Sequence, residues 1–208
     1  MSESNKKLLI ECMAFEVNPE VLRESTAHPN QPFRVSGILQ RKGKRNQNGR
    51  VYPDEILIRE ADKYAKTFVA ERRALGELDH SESSVINLKN VSHNVISLNW
   101  QGDDLIGTLE VLTTPNGNIL RELFRNGIKI GISSRGLGSL KKISESSSIV
   151  GDDYELISFD AVSNPSTQGA FLSRTEQSTL SEGIVRDPLT NKWSKTDEII
   201  RNILSELN

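Results

Sequence analysis

Two strand-like runs, residues 91–100 and 105–112, are separated only by Gln101-Gly102-Asp103-Asp104. A connection that short, with glycine and aspartate inside it, is a hairpin signal. Parallel partners would need a crossover of a dozen residues or more. The middle of the chain is therefore committed to antiparallel pairing. A second segment alternates Phe33, Val35, Gly37 and Leu39 with Arg34, Ser36 and Gln40, the pattern of a half-buried strand. Leu8-Leu9-Ile10, residues 128–134 and residues 154–163 add further strands, the last ended by Asn164-Pro165.

Helices are fewer. Pro53 and Asp54 suit a first helical turn, and Leu57, Ala61, Tyr64, Ala65 and Phe68 then recur on one face. Residues 118–126 carry Ile119, Leu120, Leu123 and Phe124 on another, with Gly127 in the C-cap position. The prolines at 19, 29 and 32 predict a linking loop over 18–32. Arg135-Gly136-Leu137-Gly138 reads as a glycine-punctuated turn, residues 144–148 as a mobile serine-rich loop, and the basic segment 41–49 as a solvated loop. Residues 173–195 are polar, and 196–207 can form a short amphipathic helix with Ile199, Ile200, Ile203, Leu204 and Leu207 on its apolar face. The expected organisation is an α+β domain over 1–172 and a C-terminal tail over 173–208.

Composition removes several function classes. Lys and Arg total 26 against 28 Asp and Glu, a net charge of −2, which argues against a general nucleic-acid binder. The lone Cys12 excludes an internal disulfide framework and a multi-cysteine metal site. With only His28, His80 and His93, a zinc hydrolase is not expected, and no metal or cofactor is called for. The start of the chain is too short and too charged in its apolar run for a signal peptide, and no stretch reaches membrane-span length. These features point to a reducing, cytoplasm-like compartment.

Three segments carry chemistry. His80 lies in the polar setting Asp79-His80-Ser81, whereas His93 sits inside an apolar strand where a structural histidine belongs. Histidine is the natural general base near neutral pH. Ser133 and Ser134 stand at a strand end before a glycine-rich stretch, where a hydroxyl nucleophile finds access and nearby backbone donors; an ordinary strand end looks the same. Asp160 interrupts a strand suited to burial, which is costly unless the carboxylate is paired. It either faces solvent on an edge strand or orients a histidine, as in a Ser-His-Asp triad.

Gly76-Glu77-Leu78-Asp79-His80, the run from Gly131 to Leu140, and Asp160-Ala161-Val162 followed by Pro165-Ser166 occur in this order and at similar separations in one family. Over residues 33–170 the chain resembles the prohead core protein proteases of T-even-like tailed phages, and the basic turn over 46–53 is also similar. That family is similar in fold to the herpesvirus assemblin proteases. The resemblance implies a mostly antiparallel β-barrel core flanked by helices. It further implies Ser133 as nucleophile, His80 as general base and Asp160 as the group that orients the histidine. Backbone N–H groups of Ser134, Arg135 and Gly136 would form the oxyanion hole. Ser133 and Ser134 must face opposite ways on a strand, so only one can meet His80, and the alignment selects the first.

The resemblance also implies the substrates. The family cleaves prohead scaffold or core proteins and the major capsid protein after Leu/Ile-x-Glu, inside the assembling prohead in the host cytoplasm, and then cuts itself. Neither membrane nor nucleic acid enters, and a homo-oligomer is left open. Leu180-Ser181-Glu182 lies in the expected tail, which places self-cleavage between Glu182 and Gly183, since unfolded tails are the easiest substrates. A non-catalytic core or scaffold component that keeps the protease fold is the alternative.

Overall fold

The computed structural model describes residues 6–163, with ten strands and three α-helices among them. β1 (Lys7–Ala14) leads to α1 (Pro19–Ala27) and then to β2 (Phe33–Arg41). The expected loop over 18–32 is thus largely a helix. Pro19 sits in its first turn, where a missing N–H costs nothing, and Asn18 Oδ1 accepts from the Glu20 N–H at 2.9 Å as the N-cap. β3 (Arg50–Val51) precedes α2 (Asp54–Tyr64), which runs on into a π-helical turn, Ala65–Val69. Leu57, Ala61 and Tyr64 of the predicted stripe are buried, and Phe68 packs against the core.

β4 (Leu75–Glu77) follows, then the hairpin of β5 (Val91–Gln101) and β6 (Asp104–Val111). α3 (Pro115–Arg125) is capped by Thr114 and ends before Gly127, whose φ of 68° is the left-handed geometry that favours glycine. β7 (Gly131–Gly138), β8 (Leu140–Ser144), β9 (Ser147–Val150) and β10 (Glu155–Val162) complete the order. Residues 135–138 are therefore strand and not turn. Gly136 and Gly138 mark the close approach of Tyr154, whose ring and backbone fill the space a side chain would need. The serine-rich segment 144–148 is the tip of the β8–β9 hairpin.

The strands form three sheets, ordered β1-β7-β10, β2-β6-β5-β4 and β3-β9-β8. Pairing is antiparallel except between β3 and β9. The expected barrel does not close among the described residues. Backbone pairing links the sheets β1-β7-β10 and β2-β6-β5-β4 only through isolated bridges, Val17 with Gly37 and Leu78 with Ala161. Between them lies the core, with Leu9, Val35, Leu39, Leu109, Ile132 and Phe159 fully buried. Tyr64 of α2 closes onto the Phe159 ring edge to face, at 5.7 Å between centroids. The boundary at 172, the tail helix and the Glu182-Gly183 bond lie outside the described residues.

Candidate active site

β7 is the central strand of its sheet. Its register sets Ser133 opposite Cys12 on β1 and opposite Asp160 on β10. Directly opposed residues share a face and neighbours along a strand alternate. Ser133, Arg135 and Asp160 accordingly share one face, and Ser134 points to the other. There its Oγ accepts a hydrogen bond from Gln40 Nε2 at 2.9 Å. Ser133 is fully buried and its Oγ has no hydrogen-bond partner. Of the two neighbouring serines, only the first carries an uncommitted hydroxyl.

His80 follows β4, in a segment whose residues are tied to β10 and to Arg135. After Glu77 the chain bends alongside β10: Leu78 bridges Ala161, and the Asp79 N–H donates to the Ala161 carbonyl at 2.8 Å. Asp79 adopts φ of 58°, a left-handed conformation uncommon outside glycine, and this sharp bend sets the direction of His80. On its other side Ser81 Oγ accepts from Arg135 Nη1 at 2.8 Å. His80 is half-buried, tied by one neighbour to β10 and by the other to β7, and its Nδ1 is buried without a partner.

Asp160 is fully buried, which removes the solvent-facing alternative. Its partners are not His80. One carboxylate oxygen accepts from the Glu77 N–H at 3.0 Å and from Arg135 Nη2 at 3.2 Å. The other accepts from Ser158 Oγ at 3.1 Å and lies 3.0 Å from Arg135 Nε. Burial raises its proton affinity, and these donors together with the Arg135 charge oppose the rise. The register thus pairs Ser133 with Asp160, and both chain neighbours of His80 are tied to the strands that carry them, but no hydrogen bond joins His80 to either.

The Arg135 side chain holds the centre. It is fully buried and also reaches Glu77 Oε1 at 3.0 Å, Ser158 Oγ at 3.1 Å and the Ser83 carbonyl at 2.8 Å. Sequence reasoning assigned nothing to this side chain, to Glu77, or to Ser81, Ser83 and Ser158. A signal was present: Arg135 stands among small and apolar residues of a strand, and a buried charge there needs an opposite partner just as Asp160 does. The backbone expected to form an oxyanion hole, Ser134, Arg135 and Gly136, lies within the sheet, paired to β1 on one side and to β10 on the other, where the β10 register shifts between Leu156 and Ser158.

His93 is fully buried, as its apolar strand predicts. Its Nε2 lies 3.0 Å from the Phe159 carbonyl, which can only accept, so Nε2 carries the proton; Nδ1 is left to accept from Ser92 Oγ at 2.9 Å. Burial pushes its pKa down to about 4, partly opposed by the Phe159 carbonyl. It is a neutral tie between β5 and β10. No group of three or more metal-ligating side chains occurs among the described residues.

Residues 23–182 match the family model described as prohead core protein serine protease. The prohead core protein protease of Enterobacteria phage T4 is 32% identical over 145 residues, covering 68% of each chain. The solved structure of the bacteriophage T4 capsid assembly protease superposes with a TM-score of 0.68 at 27% identity, covering 77% of this chain and 99% of that one.

Proposed function

Because this chain belongs to the prohead core protein serine proteases, we propose that it is the endopeptidase that cuts scaffold or core proteins and the major capsid protein after Leu/Ile-x-Glu within the assembling prohead. His80 takes the proton from Ser133 Oγ as that oxygen attacks the scissile carbonyl. The protonated imidazole then gives its proton to the leaving amine, and water, activated by the same histidine, releases the acyl group. What supports this reading is a pair of buried atoms without hydrogen-bond partners: the Ser133 Oγ and, in the segment bound to the neighbouring β10, the His80 Nδ1. Ser134 is spent on Gln40 and faces away.

Ser133 is fully buried, so a peptide reaches it only after the surrounding structure rearranges. That suits a precursor that becomes competent during assembly. Self-cleavage after Glu182 fits the same reading, and the family match runs to that residue. Wild type, Ser133→Ala and Ser134→Ala are to be compared on a peptide containing Leu-x-Glu, with intact mass followed in parallel. The expected outcome is loss of peptide cleavage and of tail shortening in Ser133→Ala alone. Equal activity in all three would refute the serine mechanism, and cleavage by none of them would leave the non-catalytic core component as the better reading.

A further inference from the structure

A fully buried arginine that holds two carboxylates is an expensive arrangement. Removing such charges from water costs several kcal/mol per ion, and mutual attraction rarely returns more than that. Glu77 and Asp160 outnumber the single guanidinium, and no water-exposed edge relieves them. Stability alone does not account for this network, and its geometry suggests a task. Every group that Arg135 holds belongs either to β10 or to the segment carrying His80.

From β10 come Ser158 and Asp160. From the segment 77–83 come the Glu77 carboxylate, the Ser81 hydroxyl and the Ser83 carbonyl. The segment's other anchors lie at its start, over residues 77–79: Glu77 pairs with Val91, gives its N–H to Asp160 at 3.0 Å and accepts on its carboxylate from the Asn87 N–H at 2.8 Å and Asn90 Nδ2 at 3.4 Å, Leu78 N–H reaches the Asn90 carbonyl at 2.9 Å, and Asp79 N–H reaches Ala161. Beyond Ser81 it is exposed through Val85, which is 71% accessible. Without Arg135 the residues that follow His80 would have no side-chain tie to the sheet that carries Ser133.

We infer that Arg135 is the positioning residue for the histidine: it clamps the segment 77–83 onto the face of Ser133, and Asp160 serves as counter-ion to Arg135 and acceptor of the Glu77 N–H, with no contact of its own to His80. The inference rests on Ser133 and His80 being the reacting pair. It replaces a direct carboxylate–imidazole contact with a guanidinium relay of position. The two differ in a measurable way. A carboxylate bonded to the imidazole raises the histidine pKa, so its removal would move the acidic limb of the kcat/KM profile. A carboxylate that acts through Arg135 would leave that limb in place and lower kcat by misplacing the base.

Arg135→Lys, Asp160→Asn, the double variant and Ser133→Ala are made in the full chain. Folding is checked by circular dichroism, and kcat, KM and pH profiles are read on a Leu-x-Glu peptide. Arg135→Lys and Asp160→Asn are each expected to lower kcat roughly 10- to 100-fold with KM within about twofold, since a small misplacement of a catalytic group has that effect. The double variant should lose little more than either single one. The acidic limb in Asp160→Asn should move by less than about half a pH unit. A larger movement, a fully additive double variant, or a folded Arg135→Lys with wild-type kcat overturns the inference. Where the charge variants do not fold, Ser81→Ala decides: it removes one tie from a partly exposed residue without stranding a charge. A kcat loss of more than about twofold at unchanged KM supports the clamp, and a smaller one overturns it. Activity retained in Ser133→Ala would sink the site assignment instead, so the two failures are distinguishable.

Discussion

Gly76 stands directly before Glu77 on β4, at the closest approach between the two larger sheets. A Cβ built there would lie far inside contact distance of His93 Nε2 and of the Phe159 carbonyl. Neither can yield cheaply. The imidazole is fully buried and bonded to that same carbonyl, and the carbonyl belongs to the strand that carries Asp160. Gly76→Ala therefore adds a methyl to a filled core and separates His93 from Phe159. Overpacking costs typically ~1–3 kcal/mol and the lost hydrogen bond about 1 kcal/mol, so we expect a destabilisation of about 3 kcal/mol. For a chain of this size that is roughly a 10 °C fall in Tm. Urea titration should show a lower midpoint at an unchanged slope. Gly102→Ala is the control. Gly102 has open space around it and only a φ of 60° to resist a side chain, so about 1 kcal/mol is expected there. The clash with Phe159 should persist when His93→Ala is added. A Gly76→Ala cost below about 0.5 kcal/mol, or below that of Gly102→Ala, would refute the argument.

His93 predicts a pH signature. Its pKa lies near 4 when folded, below the ordinary value of about 6.5. The unfolded chain therefore binds a proton that the native state refuses. This contribution is fully present above pH 6.5 and is lost as pH falls towards 4, by about 3 kcal/mol at the limit. Asp160, whose affinity for protons is raised on folding, contributes with the opposite sign, so the check is a difference: wild type minus His93→Gln, by urea titration at pH 7 and 4.5. No difference in slope with pH would reject the buried neutral imidazole. The two serines predict opposite stabilities. Ser133 Oγ has no partner, so Ser133→Ala should be neutral or about 1 kcal/mol more stable, while Ser134→Ala strands Gln40 Nε2 and should cost about 1 kcal/mol. The reverse order in urea would contradict the assigned faces.

What was legible in the sequence was local. The β5–β6 hairpin followed from its short turn, β2 from period-two alternation, and α2 from its apolar stripe, because each pattern is complete within a dozen residues. The errors share one cause, a residue type read without its tertiary neighbour. Pro19 looked like a breaker and is a helix-starting proline. Gly136 and Gly138 looked like a turn and make room for Tyr154 in mid-strand. An antiparallel architecture could be read, but barrel closure could not, since that depends on how Leu78 and Val17 meet other sheets. In the site, residue types drew attention to His80, the Ser133-Ser134 pair and Asp160, and the family resemblance chose Ser133 and gave each its role. The partner of Asp160 stayed hidden because it lies 25 residues away, on the strand alongside.

That partner changes how the motif around His80 reads. On the proposed mechanism, Gly76-Glu77-Leu78-Asp79-His80 contains one chemical residue and four that place it. Gly76 lets β4 approach His93 and Phe159; Glu77 gives its N–H to Asp160 and its carboxylate to Arg135; Leu78 bridges Ala161; Asp79 turns the chain by its left-handed φ. Four consecutive residues thus meet β10 or Arg135 of β7 before the histidine is reached. Such a motif can be lost in two separable ways. A change at His80 removes the base from an intact scaffold, which should leave stability nearly untouched because its Nδ1 contributes no hydrogen bond. A change at Gly76 or Glu77 keeps the base and lets it drift, and it also opens the seam between the sheets. Stability and activity should therefore fall together along residues 76–79 and part company at His80. A segment whose serines merely decorated a surface loop would show no such division.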